Sequence, residues 1–235
     1  MEAARAMKNG QREVIVLYSG GLDSTATAAL YAHRDYTKVH LLTFDNGTQS
    51  YLELSEISVR YLQEKFKKTE FKHKILSSAY LFKKVAFKPL EEDSKKYSTN
   101  LVCIGCKMAM HAEGIVYALD KGLTEVADGF VRRQEGYPEQ HMNFIKEMRK
   151  LYERFRIKYV SPLYSKIESK EDVKDLLFKF DLPPKSIEPS CLLGGTFSAA
   201  KAEEITAYFK EKEPLLEEYI EQHLKEISGL VEWGE

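Results

Sequence analysis

The sequence predicts an α/β fold: a doubly wound parallel sheet of about five strands with helices on both faces and a helical C-terminal tail. Two observations predict this fold. Short apolar runs rich in β-branched residues alternate with longer amphipathic segments, and glycines or polar turns separate them. After the glycines at positions 194 and 195, the composition becomes acidic and helical. The chain of 235 residues therefore favours one α/β domain over residues 1–195 and a helical extension over residues 196–235.

The first elements follow a β-α-β-α-β order. A continuous apolar run at residues 14–18 is typical of a buried parallel strand, and the alanine-rich residues 24–33 favour a helix. Strands are predicted at residues 38–44 and 71–76, with a helix at residues 51–66 between them. The short connections between these elements favour a parallel sheet covered by helices.

The alternation resumes after a polar, lysine-rich stretch at residues 77–100, which Pro89 interrupts and which we expect to be a long insertion. A helix over residues 107–121 is expected to end at Gly122, because glycine is common just after helix C-termini. The remaining predicted elements are strands at residues 125–128 and 157–160 and helices at residues 143–155, 171–180 and 199–210.

The composition is typical of a chain that buries a core, with 43% hydrophobic and 30% charged residues. No apolar run approaches the roughly 20 residues that span a bilayer. The first 14 residues lack the apolar stretch of a signal peptide. We therefore expect a cytoplasmic protein without a membrane partner.

Charge and apolar residues are distributed unevenly along the chain. Residues 60–107 carry 12 Lys or Arg against 5 Asp or Glu, and residues 201–235 carry 4 against 10. This asymmetry suits a polyanion such as tRNA on the basic side, or it marks solvated helix faces. A second C-terminal helix carries an apolar stripe that we expect to pack on the parent domain or, alternatively, to form a homodimer or partner groove. The stripe consists of Leu215, Leu216, Tyr219, Ile220, Leu224 and Ile227.

The strongest chemical signal is the segment SGGLDST between the first strand and the first helix. Its two glycines let the backbone turn tightly and approach a ligand. The helix that begins there favours phosphate at its N-terminus, and ligands bind at the carboxyl ends of strands in open parallel sheets. Asp23 would repel phosphate directly, so Mg²⁺ is its expected partner. The alternative interpretation is a plain strand–helix turn. The segment contributes Ser19, Gly20, Gly21, Asp23, Ser24 and Thr25.

This segment resembles the SGGxDS pyrophosphate loop of the PP-loop ATP pyrophosphatases. Such enzymes typically adenylate a substrate oxygen with ATP, release pyrophosphate and let a nucleophile displace AMP. The resemblance implies an adenine nucleotide alpha hydrolase-like fold. It also implies that Ser19, Gly20, Gly21, Ser24 and Thr25 hold the ATP phosphates, that Asp23 reaches Mg²⁺ and that Asp45 lies near the nucleotide. Lys170 matches a lysine that follows the SPL motif in such proteins and could offset phosphate charge, or it is a solvated residue that starts a helix.

Shorter motifs resemble two branches of this superfamily. FDNG at residues 44–47 resembles a segment of the 7-cyano-7-deazaguanine synthases. CIGCK at residues 103–107, followed by DG, SPL and PSCL, is similar in order to the sacrificial sulfur transferases and more loosely to tRNA thiolation enzymes. Together the motifs extend the resemblance over residues 13–195.

The three cysteines, Cys103, Cys106 and Cys191, argue against a disulfide framework because their number is odd. Three thiolates suit a [4Fe–4S] cluster with one iron left open. A zinc site would need a histidine such as His73 or His111 as its fourth ligand, and the four-cysteine zinc arrangement of the deazaguanine synthases cannot be formed. A persulfide relay without metal would also use these thiols, and simple burial in the core would give them no chemical role.

The sequence therefore predicts an enzyme that adenylates a substrate oxygen with ATP and Mg²⁺ and then transfers sulfur. The expected catalytic residues are Asp23, Lys170 and Cys191, with Cys103, Cys106 and Cys191 as cluster ligands. The expected partners are ATP, a sulfur donor, and either tRNA or a small nucleobase acceptor. Two different functions stay open: amide or nitrile formation on a deazapurine-like substrate, and a nucleotide-binding regulatory module without turnover.

Overall fold

The structure is a computed structural model, and it describes residues 12–194 and 199–232. Its main sheet has five parallel strands in the order β4-β2-β1-β5-β6, and a small antiparallel sheet pairs β3 with β7. The predicted doubly wound parallel sheet is therefore confirmed. The strands are β1 Glu13–Leu17, β2 Lys38–Asp45, β3 Gln49–Ser50, β4 Glu70–Ser77, β5 Glu125–Ala127, β6 Lys158–Val160 and β7 Ser190–Cys191.

Eight α-helices surround the sheet in the described part of the chain. The strand order reverses at β1, since β2 and β4 lie on one side of it and β5 and β6 on the other. Ligands bind at such a reversal, beside the carboxyl ends of the strands. The helices are α1 Leu22–His33, α2 Ser55–Lys65, α3 Ala79–Phe82, α4 Leu90–Tyr97, α5 Val102–Lys121, α6 Met142–Arg154, α7 Lys170–Lys179 and α8 Ala202–Glu232.

The central strand β1 separates two hydrophobic cores. Val14 and Val16 belong to the core under α1, α2 and α7, whereas Ile15 and Leu17 belong to the core under α5, α6 and α8. Successive side chains of a strand point to opposite faces, so a continuous apolar run serves both cores. This explains why β1 is apolar throughout.

The buried helix α5 begins five residues earlier than predicted. The side-chain oxygen of Asn100 accepts a hydrogen bond from the Val102 amide at 3.0 Å, which satisfies one of the free amides of the added turn. As a result, Cys103 and Cys106 lie in the first turns of the helix. By length and composition α5 could cross a membrane, but 61% of that stretch is buried in the fold, as expected of a core helix.

The lysine-rich stretch at residues 77–100 is helical, which corrects the prediction of a long insertion. It forms α3, a π-helical turn over Lys83–Phe87, and α4. Its apolar residues Leu81, Phe82 and Val85 are buried in the core, and this burial stabilises the segment although lysines surround them in the sequence. The hydrophobic effect at these few positions therefore decides the local structure.

The C-terminal region is one helix, α8, where two were expected, and Pro214 lies inside it. Leu216 and Ile220 of the apolar stripe are buried against α5 and α6, so the stripe packs on the parent domain. The side chain of Ile227 lies outside the described residues. The domain boundary at residues 195 and 196 stays a prediction.

Candidate active site

The SGG segment forms a tight loop between β1 and α1. Gly20 adopts φ +83°, a backbone conformation that favours glycine. The Gly21 amide donates to Ser19 Oγ at 3.2 Å, and the Ser24 hydroxyl donates to the Gly21 carbonyl at 3.2 Å. These bonds fix the loop at the carboxyl end of the central strand.

A cavity of about 360 Å³ opens above this loop; we call it the phosphate pocket. Ser19, Gly21, Asp23 and Ser24 line it. Gly20 and Thr25 lie outside it, because Gly20 packs beneath Ile187 and the Thr25 hydroxyl contacts the buried Tyr18 hydroxyl at 3.2 Å. Other charged residues in the wall are Lys107, Arg133, Lys170 and Glu188.

Asp23 is held by Arg133, for which the sequence leaves open a contact with substrate or pyrophosphate and a plain surface turn. Arg133, on a short 3₁₀ turn after β5, donates from Nη2 to both Asp23 carboxylate oxygens, at 2.9 and 2.7 Å. Burial raises the pKa of Asp23, and the hydrogen bond and charge of Arg133 oppose this effect. The position of Arg133 after Asp128-Gly129, at the carboxyl end of a strand, is the signal that points to it.

The segment that leads into β7 lies directly on the phosphate loop. The Ile187 amide donates to the Gly20 carbonyl at 3.4 Å, and Ser19 Oγ donates to Glu188 Oε2 at 3.3 Å. These two contacts place the Glu188 carboxylate beside Asp23. Sequence spacing gives no signal for Glu188, because it reaches the loop from 169 residues away.

A second cavity, of about 220 Å³, is lined by all three cysteines; we call it the thiol cavity. Asn46 Nδ2 donates to Cys106 Sγ at 3.1 Å, and the Thr48 hydroxyl lies 3.4 Å from Cys191 Sγ. The pairing of β3 with β7 brings Cys191 to α5, where the other two thiols lie. The two cavities share the side chains of Tyr18, Ser19, Lys107, Met110 and Glu188.

Two thiols of this cavity are desolvated, and the described residues do not group the three cysteines as metal ligands. Burial, followed by the charge of Glu139, raises the pKa of Cys103 to about 12, and burial also raises the pKa of Cys106. Within residues 12–194 and 199–232, no group of three or more His, Cys, Asp or Glu side chains is arranged to hold a metal. His73 and His111 do not line the cavity. The described residues thus form neither the expected [4Fe–4S] site nor a zinc site completed by His73 or His111.

The other two predicted site residues differ in their placement. Lys170 lines the phosphate pocket at the first position of α7, which a Ser169–Asp172 capping box begins. Asp45 lines neither cavity. Its carboxylate accepts from the Gly47 amide at 2.8 Å and so fixes the turn after β2, while the next residue, Asn46, enters the thiol cavity.

A buried polar group forms the floor of the phosphate pocket. Asp128 accepts a very short hydrogen bond from the Tyr159 hydroxyl and another from the Phe130 amide at 3.1 Å. Burial raises the pKa of Asp128 to about 6 despite these bonds. Beside it, His111 is fully buried, and its Nδ1 lies 3.1 Å from the Tyr152 hydroxyl.

Comparison with known proteins gives a matching family and, among 99 matching chains of solved structures, the structure described next. Residues 13–203 match the family described as "Queuosine biosynthesis protein QueC". The solved structure is "The crystal structure of predicted subunit of tRNA methyltransferase from Methanocaldococcus jannaschii DSM". Its sequence is 21% identical, the alignment covers 77% of this chain and 96% of that chain, and the TM-score is 0.45.

Proposed function

The chain belongs to the QueC family, within the PP-loop ATP pyrophosphatase superfamily, and from this premise we propose that it adenylates an oxygen of a nucleobase-type acceptor. Ammonia then displaces AMP and forms an amide, and a second adenylation, of the amide oxygen, lets AMP leave to form a nitrile, as in 7-cyano-7-deazaguanine synthesis. One observation carries the proposal: the phosphate pocket and the thiol cavity share a wall, which includes Ser19, Lys107 and Glu188. An acceptor in the thiol cavity can therefore reach the α-phosphate of ATP.

The phosphate pocket has the donors and charges that ATP needs. The Ser19 and Ser24 hydroxyls and the backbone of the loop face the phosphates, while Lys107 and Lys170 offset their charge. Asp23 and Glu188 supply the hard oxygen ligands that Mg²⁺ prefers, so the donor set fits this ion. Bound Mg²⁺ would neutralise charge on the phosphates as pyrophosphate leaves.

The reaction consumes ammonia and one ATP to form the amide, and a second ATP to form the nitrile. A carboxylate or amide oxygen of the acceptor attacks the α-phosphorus, the bond to the β-phosphate bridging oxygen breaks, and pyrophosphate leaves. When the oxygen belongs to a carboxylate, ammonia adds to the activated carbon and AMP departs with the acceptor oxygen to leave an amide. When it belongs to the amide, the nitrogen loses its two protons and AMP departs with the oxygen to leave a nitrile. The apolar walls of the thiol cavity limit competing attack by water.

A specific observation supports a second candidate function, sulfur transfer: all three thiols line the thiol cavity, where the acceptor would bind. In this version a sulfur donor converts Cys191 to a persulfide, whose outer sulfur displaces AMP and leaves the acceptor joined to Cys191 by a disulfide. A second cysteine attacks this disulfide, releases the thiolated acceptor and forms a protein disulfide, which a reductant must reopen. The acceptor would be tRNA or a free nucleobase.

One comparison separates these candidates from each other and from a binding module. The protein is incubated with ATP and Mg²⁺ in two mixtures, and pyrophosphate release is measured in each. One mixture contains a deazapurine carboxylate with ammonium, and the other contains unmodified tRNA with a persulfide donor. The deazapurine carboxylate should support pyrophosphate release in the wild type, in Cys106→Ser and in Cys191→Ser, because the thiols line its site without taking part in the reaction. Release with tRNA alone, lost in Cys191→Ser, favours sulfur transfer. ATP binding with no release under any condition means a regulatory module.

A further inference from the structure

Arg133 and Asp23 form a close ion pair inside the phosphate pocket. Their side chains are 19% and 17% exposed. Arg133 uses one nitrogen, Nη2, for both carboxylate oxygens. A guanidinium more often binds a carboxylate through two parallel hydrogen bonds. The pairing therefore leaves donors of Arg133 for another acceptor.

One of these donors is buried and unsatisfied. Arg133 Nε has no hydrogen-bond partner within the part of the chain that the structure describes. A buried N–H without a partner costs free energy. An acceptor that binds this N–H therefore gains more binding free energy than an acceptor that binds a solvated group. Phosphate oxygens match the planar fork of an arginine, and the phosphate loop lies in the same pocket.

The backbone that carries Arg133 is fixed against the phosphate loop. A Cβ atom on Gly129 would lie 2.7 Å from the Ser24 amide nitrogen, so this loop and the start of α1 are in close contact. Gln140 accepts from the Val131 amide at 3.3 Å and donates to the Gln134 side chain at 2.6 Å. Only the side chain of Arg133 needs to move to change partners.

We propose that Arg133 is a phosphate-binding residue that exchanges partners when ATP binds. Asp23 would then hold Mg²⁺, and the guanidinium turns to the phosphate oxygens through Nε and Nη2. This inference rests on the proposed use of ATP and is independent of the acceptor. Asp23 is thereby kept paired until the metal arrives, and Arg133 becomes an additional positive group at the departing pyrophosphate, beside Lys107 and Lys170.

Product binding tests this exchange without turnover. Titration calorimetry with magnesium pyrophosphate and with AMP is carried out on the wild type, Arg133→Gln, Arg133→Lys and Arg132→Gln. Arg132 is exposed on the same turn and does not line the pocket, so Arg132→Gln is a control for the charge change. Arg133→Gln should bind pyrophosphate about tenfold to a hundredfold more weakly, because a charge-assisted contact is lost. The AMP affinity of Arg133→Gln should change less than about threefold, and so should the AMP and pyrophosphate affinities of Arg132→Gln.

Free Mn²⁺, followed by its electron paramagnetic resonance signal, reports on Asp23 directly. Arg133→Gln should bind Mn²⁺ alone more tightly than the wild type, because the carboxylate has lost its competing partner. Arg133→Lys keeps an ion pair for folding but lacks the two-nitrogen contact, and it should still lose about fivefold or more in pyrophosphate affinity. If Arg133→Gln does not fold, the pyrophosphate affinity of Arg133→Lys tests the proposed exchange.

Equal losses for AMP and pyrophosphate, or equal effects of Arg132→Gln and Arg133→Gln, would overturn the exchange and leave Arg133 a structural residue. An Arg133-dependent pyrophosphate affinity in a protein that releases no pyrophosphate from ATP would instead refute the proposed reaction and leave the exchange standing.

Discussion

A Cβ atom on Gly20 would lie 2.4 Å from the backbone oxygen of Ile187. The phosphate loop and the segment before β7 are thus in direct backbone contact, with no room for a side chain. This contact joins the nucleotide site to the strand that carries Cys191. It also explains why both glycines of the motif are needed even though only Gly21 lines the phosphate pocket.

Gly20→Ala should therefore be strongly destabilising and should abolish ATP binding. The substitution adds the cost of a left-handed backbone to a clash with a neighbouring backbone, for a total of about 2 to 5 kcal/mol. Gly122→Ala is the matched control, since Gly122 also has positive φ but has no atom near its missing Cβ. It should cost about 1 to 2 kcal/mol and leave ATP affinity unchanged. Urea unfolding and ATP titration measure both; equal costs would argue against the close contact.

The buried Asp128 should make stability depend on pH. Its pKa is about 6 in the folded protein, above its ordinary value of 3.8, so the native state binds the proton more tightly than the unfolded state does. The free energy of unfolding should therefore fall as pH rises from about 4 to about 6, by about 3 kcal/mol from this group. Asp128→Asn removes the titration.

Urea unfolding at pH 4.5 and pH 7.5 checks this expectation. The stability of Asp128→Asn relative to the wild type should be higher at pH 7.5 than at pH 4.5. Any constant cost from a changed bond to Tyr159 cancels in that comparison. A relative stability that is the same at both pH values would show that Asp128 does not titrate in this range.

An ion pair between α4 and α8 should hold the C-terminal helix in place. Lys212 Nζ lies 2.9 Å from Asp93 Oδ1, and the two side chains are 8% and 9% exposed. Lys212→Met should lower the free energy of unfolding by about 3 to 5 kcal/mol, because it leaves a buried carboxylate unpaired. Lys210→Met, at an exposed position of the same helix, should have little effect. The double variant Asp93→Leu with Lys212→Met should recover part of the loss; if it is worse than the single variant, the charge pairing is not what holds α8.

Local patterns predicted the sheet and the phosphate loop well. An uninterrupted apolar run identified β1, and the SGG segment after it identified a loop at the carboxyl end of that strand. The apolar stripe in the acidic C-terminal region predicted packing on the parent domain or a partner, because a helical apolar face needs a partner wherever it lies. Each of these features depends on residues that are close together in the sequence, so local sequence patterns are enough to predict it.

The residues that complete the site come from distant segments, and their placement could not be predicted. Arg133 reaches Asp23 across 110 positions and Glu188 reaches Ser19 across 169. Asp45 and Asn46 are adjacent, and the turn geometry alone decides that Asn46 faces the cysteines. The strands β3 and β7 have two residues each, which is too short for an alternating pattern to appear.

The measurement that tests the central claim most directly is the transfer of an acceptor oxygen to AMP. A deazapurine carboxylate labelled with ¹⁸O is incubated with ATP, Mg²⁺, ammonium and the protein, and AMP is analysed by mass spectrometry beside an Asp23→Asn control. Adenylation of the acceptor oxygen predicts one ¹⁸O atom in each AMP formed, and little AMP from Asp23→Asn. Unlabelled AMP, or ADP and phosphate as products, would contradict the account, because the acceptor oxygen would then not have attacked the α-phosphorus.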